Sequence, residues 1–273
     1  MPESTLRSLV ETRVHRPAAI AAAAAARVRP DSLVGPHGRL MMIAADHPAR
    51  GALRAGARPL AMADRGDLLD RLCLALSRPG VNGVLGTADI LEDLLLLGAL
   101  EGKVVVGSMN RGGLAGAAFE LDDRFTAYDA RGIAAARFEG GKMLLRLDPA
   151  DPASVATMEA CAHAVTALAE LGRLAMVEPF CSSRVDGRVR NDLTPDAMTV
   201  AIGVASGLGR TSAHTWLKVP VVDELERVLA ASTLPAVILG GEVADDPDAA
   251  YTGWSRALAL PTVAGLVVGR SLL

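Results

Sequence analysis

The run His214-Thr-Trp-Leu-Lys-Val-Pro220 is apolar, β-branched and aromatic, and it predicts a buried strand that carries a single lysine, Lys218. Burial disfavours the charged form of an amine, so we expect the pKa of Lys218 to be lowered. An uncharged amine is what Schiff-base chemistry on a carbonyl requires. The run therefore predicts both an element of a buried sheet and a reactive group at its end.

Short apolar runs alternate with longer stretches of helical periodicity from residue 40 onward, which indicates repeated βα units. The eight predicted strands are Leu40–Asp46, Asn82–Gly86, Lys103–Ser108, Lys142–Leu147, Leu174–Pro179, Thr215–Val219, Ala236–Gly240 and Gly265–Val268. The seven predicted helices between them are Asp64–Ser77, Ala88–Leu100, Tyr128–Phe138, Ser154–Leu171, Pro195–Leu208, Val222–Ala231 and Asp248–Leu260. This pattern favours an α/β fold of the (β/α)8 TIM-barrel type over an open sheet.

The length and composition favour one domain. The chain has 273 residues, of which 51% are hydrophobic and 22% are charged, and such barrels commonly take about 250 residues as one unit. We expect an N-terminal helical extension over residues 1–38 and the barrel over residues 39–273. The sequence stops directly after the eighth predicted strand, so we expect the closing helix to be lost by truncation or replaced by the N-terminal helices.

Charge and cysteine usage argue against several classes of protein. The formal net charge of −3 gives no basic footprint for nucleic acid or an acidic membrane surface. The apolar segment Ala18–Ala26 is too short to cross a bilayer. The three cysteines are widely spaced, which argues against a disulfide framework or a zinc site and fits the cytoplasm. We expect no metal and no cofactor.

Polar residues at the carboxyl ends of the predicted strands are the candidates for function, because the working residues of such barrels lie at that end. They come from different strands but converge on one mouth. The candidates are Asp46, Asn110, Arg111, Arg146, Asp148, Glu178, Lys218, Gly240, Gly241, Gly269 and Arg270.

Glu178 is the candidate acid beside Lys218. Alternation along the fifth strand puts Glu178 on one face with Leu174 and Met176. If that face is the barrel interior, burial should raise the pKa of Glu178 toward the range of general acid-base catalysis. The alternative is an ion pair with a basic neighbour at the rim.

Two cations share one face of the fourth strand, where Lys142 and Arg146 alternate with Leu144 between them. Lys142 either lies near the reacting carbons and lowers the pKa of Lys218 by repulsion, or extends along the strand to solvent. Arg146 joins the expected set of substrate- or phosphate-binding residues.

The first strand ends in Asp46 and His47, followed by Pro48. A carboxylate at that position can orient a substrate hydroxyl or hold a lysine in place. A turn is the alternative, because Asp and His-Pro often open loops. We favour a functional role for Asp46 and a structural one for His47.

The last two units predict a phosphate site. Leu-Gly-Gly-Glu at 239–242 follows the seventh strand, and Val-Gly-Arg-Ser at 268–271 follows the eighth. Barrels of this kind frequently bind phosphate there through backbone amides. Gly240, Gly241 and Gly269 are the expected contacts, and Arg270 adds a fork of donors suited to an oxyanion.

A glycine-rich connection, Asn110-Arg-Gly-Gly-Leu-Ala-Gly116, follows the third strand, with Phe119, Asp122 and Asp123 downstream. Long loops near a barrel mouth are often functional. We leave open whether this loop is a mobile flap over the mouth or a long connection without a function.

Taken together, these motifs resemble the class I aldolase superfamily over most of residues 40–273. The resemblance is to the tagatose-bisphosphate and archaeal-type fructose-bisphosphate aldolases, more distantly to the deoxyribose-phosphate aldolases, and to an uncharacterised actinobacterial barrel group associated with inositol catabolism. Its motifs are Ala-Ala-Asp-His-Pro, Lys-Met-Leu-Leu, Val-Glu-Pro-Phe, Leu-Lys-Val-Pro and Val-Gly-Arg-Ser. Two departures stand out: Pro48 replaces the glycine of the archaeal type, and the strand-four tyrosine of that type is not evident.

The resemblance implies a metal-independent lyase of phosphorylated ketoses or keto sugar acids. Lys218 is expected to form the Schiff base, Glu178 and Lys142 to handle protons, and Asp46 to position the substrate. A keto-deoxy-gluconate phosphate, cleaved to dihydroxyacetone phosphate and a small aldehyde acid, is one possible substrate. The alternatives are a non-catalytic barrel that senses phosphorylated metabolites, and a thiolase- or isomerase-type activity on the same scaffold. The expected partners are a small phosphorylated sugar or sugar acid and further copies of the chain.

Overall fold

The structure is a computed structural model that describes residues 1–111, 113–241 and 246–272. The helices in these ranges are α1 Glu3–His15, α2 Ala18–Ala26, α3 Arg65–Ser77, α4 Ala88–Leu96, α5 Ala130–Ala135, α6 Ala153–Glu170, α7 Pro195–Ser206, α8 Leu225–Leu229 and α9 Pro247–Leu258, with a short 3₁₀ helix at His47–Arg50. The strands are β1 Leu40–Ala44, β2 Gly83–Gly86, β3 Val104–Ser108, β4 Gly140–Leu147, β5 Leu174–Val185, β6 Arg188–Asp192, β7 Thr215–Val219, β8 Ala236–Leu239 and β9 Val263–Val268.

The sheet closes on itself. Its strand order is β4-β3-β2-β1-β9-β8-β7-β5, and β4 also pairs with β5. Each of these neighbouring pairs is parallel, and helices α3 to α9 lie in the connections between successive barrel strands. The chain is therefore a (β/α)8 barrel, as the alternation of apolar runs predicts.

Two layers of apolar side chains bury both faces of the barrel strands. The inner layer consists of Leu40, Met42, Ala44, Leu85, Val104, Val106, Leu174, Met176, Val237 and Val267. The outer layer packs against the helices. Strands buried on both faces read as nearly continuous apolar runs. A charged residue on an inward face of such a strand therefore requires a specific reason.

The N-terminal helices pack on the outside of the barrel against α3 and α4. The Met1 ammonium group pairs with Asp70 of α3, and Arg13 pairs with Asp93 of α4 at 2.7 Å. After α2, the buried Arg27 pairs with Glu139 at 3.0 Å, at the point where β4 begins. None of the described helices is long and apolar enough to span a lipid bilayer.

One element that the sequence analysis does not predict is a β-hairpin above the barrel mouth. The fifth barrel strand continues beyond the predicted end, Pro179, and pairs antiparallel with β6. The turn is Asp186-Gly187, with φ of 50° and 73°. Asp-Gly between two strands is a strong signal for a two-residue hairpin turn, so the signal was present in the sequence.

Two helices, α5 and α8, have only about half of the predicted length, because residues in the left-handed region interrupt them. Arg137, with φ of 57°, follows the end of α5 inside the predicted helix Tyr128–Phe138. Glu224, with φ of 51°, precedes α8 inside the predicted helix Val222–Ala231. A single residue in this conformation breaks the helical hydrogen-bond pattern.

The closure between β1 and β9 depends on a glycine. Gly265 lies opposite Leu40, and a Cβ atom at position 265 would collide with the Leu40 carbonyl oxygen. We expect Gly265→Ala to lower the free energy of unfolding by about 1–3 kcal/mol, because the backbone of one strand must move. Denaturant unfolding followed by circular dichroism measures this change.

Gly203→Ala is the matched control, because Gly203 lies within α7 and a Cβ there meets open space. Alanine should stabilise that helix by about 0.5–1 kcal/mol. Equal stability of the two variants would contradict the role given to Gly265 in closing the barrel.

Candidate active site

Four ionisable side chains from four barrel strands meet inside the mouth of the barrel. Asp46 follows β1, Lys142 lies on β4, Glu178 on β5 and Lys218 on β7. All four are buried. The structure thus brings together the four residues that the sequence analysis selects as catalytic candidates.

Glu178 is the centre of this cluster, because each of its oxygens receives a different lysine. Lys218 Nζ lies 2.5 Å from Oε1, and Lys142 Nζ lies 2.6 Å from Oε2. Lys142 Nζ also lies 3.4 Å from Asp46 Oδ2. Of the carboxylates in the described part of the chain, Lys142 therefore contacts two, whereas Lys218 contacts one.

The strand register explains why these side chains meet. Val177 of β5 lies opposite Leu217 of β7, so Glu178 and Lys218 follow one step further along neighbouring strands on their inward faces. On the other side, Glu178 lies opposite Leu144 of β4. Lys142 is two residues earlier on that strand, and its long side chain spans the difference.

The pKa of Glu178 differs from the sequence-based expectation. Burial alone would raise it, but the charges of Lys142 and Lys218 and their hydrogen bonds outweigh burial and lower it to about 2. The expectation of a raised pKa was wrong, because it considered the burial of Glu178 without the two cations. Glu178 does form the ion pair with a basic neighbour that was the alternative, but with two lysines that lie inside the mouth and not at the rim.

The two lysines have opposite shifts. Burial disfavours the charge on Lys142, but Asp46 and Glu178 outweigh burial and raise its pKa. The pKa of Lys218 is lowered, first by burial and further by the charge of Lys142, although Glu178 opposes the change. Lys142 does not extend to solvent, since only 6% of its side chain is exposed. Lys218 is the lysine that more readily loses its proton.

Asp46 is fixed from two sides. Burial opposes its negative charge, but the positive charge of Lys142 and other neighbours outweighs burial and keeps the pKa well below the usual range. Ser108 Oγ lies 3.2 Å from Asp46 Oδ2 and can donate to it. The sequence analysis does not select Ser108. Its place at the carboxyl end of β3, on the same face as Val104 and Val106, is the signal that identifies it.

The glycines of the expected phosphate site lie side by side at the ends of β8 and β9. The Gly240 amide donates to the Val267 carbonyl at 2.8 Å. Gly241 has φ of 72°, in the left-handed region that favours glycine. A Cβ on Gly269 would lie 2.9 Å from the Ala44 carbonyl oxygen, so only glycine fits between the strands. Glu242 of the same motif lies outside the described residues.

His47 lies between the charged cluster and the three glycines Gly240, Gly241 and Gly269, which we call the glycine corner. A Cβ on Gly269 would lie 2.8 Å from its imidazole ring, and His47 Nδ1 lies 3.7 Å from Asp46 Oδ1. Burial lowers the pKa of His47 to about 4, Asp46 opposes this, and the positive charge of Arg270 adds to it. His47 is therefore neutral at physiological pH, and Arg270 is close enough to influence it.

Arg146 has a structural partner in place of the expected phosphate. Its Nε lies 2.9 Å from Asp123 Oδ2 and its Nη2 lies 2.5 Å from Asp123 Oδ1. Nη2 also donates to the Glu120 carbonyl. Both charged side chains are almost completely buried. Strand alternation gives the face of a side chain but not its partner, which here comes from the loop after β3, so the phosphate-binding role of Arg146 stays a prediction.

Asn110, another candidate from the sequence, anchors the same loop. Its amide nitrogen donates to the Asp123 carbonyl at 2.9 Å, and its amide oxygen accepts from the Leu144 amide at 2.6 Å. Arg111 donates to the Ala49 carbonyl. The base of the glycine-rich loop is therefore held by hydrogen bonds, while Gly112 within it lies outside the described residues.

Comparison with known proteins places this site in context. The profile of a family described as Cgl0159-like matches residues 38–273. The crystal structure of Cgl0159 from Corynebacterium glutamicum is 47% identical, has a TM-score of 0.96, and the match covers 100% of this chain and 92% of that chain. None of the curated proteins compared with the chain matches it.

Two further solved structures share the barrel at low identity. An archaeal fructose-1,6-bisphosphate aldolase, whose catalytic lysine is covalently bound to the carbinolamine intermediate of its substrate, has a TM-score of 0.65 at 17% identity over 88% of this chain and 89% of its own. A fructose-bisphosphate aldolase from Slackia heliotrinireducens has a TM-score of 0.65 at 17% identity over 86% of this chain and 75% of its own. The TM-scores show a common barrel fold, and at such low identity the likeness concerns the fold alone.

The buried pair formed by Arg146 and Asp123 yields a stability prediction. Arg146→Met leaves the Asp123 carboxylate buried without its cation, so we expect the free energy of unfolding to fall by about 3–5 kcal/mol. Arg124→Gln, which removes an arginine with 81% of its side chain exposed, is the control and should change it by less than about 1 kcal/mol. An Arg146→Met variant of normal stability and weakened affinity for phosphorylated ligands would support the phosphate-binding role.

Proposed function

The chain belongs to the Cgl0159-like family, and from the geometry of its site we propose that it is a class I aldolase. It would form or cleave a carbon–carbon bond in a phosphorylated ketose or keto sugar acid through a Schiff base on Lys218. The observation that carries this proposal is the buried amine of Lys218, 2.5 Å from the Glu178 carboxylate and with a lowered pKa. The archaeal neighbour with a lysine-bound carbinolamine supports the same reaction class.

The reaction begins with attack of the uncharged Lys218 amine on the ketone carbon, which gives a carbinolamine. Loss of water, which carries away the former carbonyl oxygen, leaves a protonated imine. A base then takes the proton of the β-hydroxyl group, the bond between the α and β carbons breaks, and an aldehyde leaves. The electron pair of that bond enters the imine and gives an enamine. Protonation of the α carbon and hydrolysis of the imine release the ketone and free Lys218.

Glu178 supports these steps in two ways. Its carboxylate lies where it stabilises the positive charge of the imine, since one of its oxygens already contacts Lys218 Nζ. Its other oxygen contacts Lys142, which provides a proton path between the two groups. Glu178, directly or through Lys142, is the proposed acceptor of the hydroxyl proton and the donor to the enamine. Asp46 is the proposed contact for a substrate hydroxyl.

The two tyrosines of the chain do not take part in this cluster. Tyr128 packs edge-to-face against Phe138, and Tyr251 packs against Trp254 on α9. We therefore assign to Glu178 and Lys142 the proton transfer that the strand-four tyrosine of archaeal-type aldolases would otherwise provide.

Phosphate recognition is proposed at the glycine corner. Gly240, Gly241 and Gly269 present backbone without side chains beside the cluster, and Arg270 supplies a permanent positive charge there. The Gly240 amide already donates to the Val267 carbonyl, so Gly240 contributes space and not a donor. A phosphate at this corner would place the substrate carbon chain toward Lys218. The fructose-bisphosphate aldolases among the structural neighbours act on phosphorylated ketoses, which supports a substrate of that class.

Borohydride trapping tests the proposed imine directly. The chain has three lysines, at positions 103, 142 and 218, so peptide mass spectrometry assigns an adduct without ambiguity. We expect reduction in the presence of dihydroxyacetone phosphate to add a stable mass to Lys218, and Lys218→Met to abolish it. Lys103→Met is the control, because Lys103 Nζ donates to the Val81 carbonyl at 2.6 Å, away from the cluster. Reversible binding without an adduct would instead favour the sensor.

The opposite shifts of the two lysines predict a pH dependence. Below its pKa Lys218 is charged and unreactive, so the rate of imine trapping should rise with pH through a value below the usual 10.5. Lys142→Met removes a repelling charge and leaves Glu178 to Lys218 alone. Both changes favour the charged amine, so the rise should move to higher pH by about one unit or more. A move to lower pH would contradict the assignment, and Lys103→Met should leave the profile unchanged.

A further inference from the structure

The amino-terminal end of the barrel carries a cluster of four arginines that is not part of the proposed active site. Arg27 and Arg29 come from the segment after α2, Arg137 from the turn after α5, and Arg173 from the turn after α6. They surround Glu139, which precedes β4. The Leu174 amide donates to the Glu139 carbonyl at 3.0 Å, so the two turns lie side by side.

The Glu139 carboxylate cannot accept hydrogen bonds from all four guanidinium groups. Its Oε1 accepts from Arg27 at 3.0 Å and from Arg29 at 2.8 Å. Its Oε2 accepts from the Val105 amide at 2.8 Å. The hydrogen-bonding capacity of the Glu139 carboxylate is therefore taken up by Arg27, Arg29 and the Val105 amide.

Two of the arginines serve the packing of the N-terminal segment. Arg27 is buried and also donates to the carbonyls of Lys103, at 2.9 Å, and Arg137, at 2.6 Å. Arg137 donates to the Ala25 carbonyl. These contacts account for the positions of Arg27 and Arg137 without any further ligand.

Arg29 and Arg173 retain donors that the described residues of the protein do not use. Within the described ranges Arg29 bonds Glu139 through Nε alone, and 36% of its side chain is exposed. In the described part of the chain, the buried Nε of Arg173 has no acceptor. Burial lowers the pKa of Arg173, and the charges of Arg29, Arg137 and Arg27 add to this while Glu139 opposes it. Arg173 is thus held in a positive environment, and it forms no ion pair with a carboxylate of the residues that the structure describes.

We propose that Arg29 and Arg173 form a binding site for a phosphate dianion, either inorganic phosphate or a phosphate monoester. Both arginines lie around Glu139, and the charge of Arg29 acts on Arg173. Two guanidinium forks can together bind a tetrahedral oxyanion, whose charge offsets their mutual repulsion. The site lies at the opposite end of the barrel from Lys218. Arg173 precedes Glu178 by five residues, which at the rise of a strand is about 17 Å.

The proposed ligand would also join two parts of the fold. Arg29 belongs to the segment that links the N-terminal helices to β1, and Arg173 belongs to the barrel. An anion held by both would stabilise the docked position of that segment, because a ligand that binds only the folded state raises its stability.

Calorimetric titration with inorganic phosphate tests the site. Ionic strength is held constant with chloride, and an Arg270→Gln background weakens the proposed phosphate contact at the active site. In that background we expect Arg173→Gln to weaken phosphate binding about tenfold, the effect of losing charge-assisted hydrogen bonds. Arg210→Gln, which removes an arginine with 81% of its side chain exposed, should leave binding unchanged. A parallel titration with glycerol 3-phosphate shows whether the ester or the free ion binds more tightly.

Thermal unfolding in the same buffers distinguishes a loss of phosphate binding from a folding defect of the variant. Without phosphate, Arg173→Gln should melt within about 2 °C of the background protein, because no protein acceptor is lost at its Nε. Phosphate should then raise the melting temperature of the background protein and of Arg210→Gln more than that of Arg173→Gln. Arg29→Gln provides the second variant: loss of its bond to Glu139 should lower its melting temperature without phosphate, but phosphate should raise that temperature as little as it does for Arg173→Gln. Equal phosphate affinity in the background protein and in both cluster variants would overturn the proposal.

Discussion

The shared carboxylate of Glu178 is the interaction on which the proposed chemistry depends. In a buried site a charge must be balanced locally, and here the balance is unequal. Among the carboxylates that the structure describes, Lys142 contacts those of Glu178 and Asp46, whereas Lys218 contacts that of Glu178 alone. Lys142, which contacts two carboxylates, retains its proton. Lys218, which shares one carboxylate with Lys142, loses its proton first. The same carboxylate then faces the positive imine that Lys218 would form, so one group supports both the free amine and the intermediate.

The barrel produces this arrangement by bringing distant segments together at one height. Asp46 and Lys218 are separated by most of the chain, yet both follow inward-facing apolar residues on strands of the same closed sheet. Below the cluster, Met176 and its neighbours form a packed apolar layer. Beside it, Arg146 and Asp123 hold the long loop after β3. The polar groups at the mouth are therefore positioned by buried structure, which fixes their geometry before a substrate arrives.

The sequence was sufficient for the barrel and for the members of the charged cluster, because alternation along a buried strand determines which side chains face inward. Alternation could not supply the partners. The pKa of Glu178 falls where burial alone would raise it, since two lysines from neighbouring strands approach it. Arg146 binds Asp123 from a loop whose path no local pattern specifies. The hairpin at Asp186-Gly187 was missed for another reason: its signal is local, but it lies beyond the point where the barrel strand was expected to end.

A pH titration of the protein with 13C-labelled lysine tests the central claim most directly. The chain has three lysines, so three side-chain signals are expected, assigned by their loss in Lys103→Arg, Lys142→Arg and Lys218→Arg. The account predicts that the Lys218 signal titrates below the usual 10.5, while the Lys142 signal remains that of a charged amine above that pH. A Lys218 signal that stays charged while Lys142 titrates first would contradict the account.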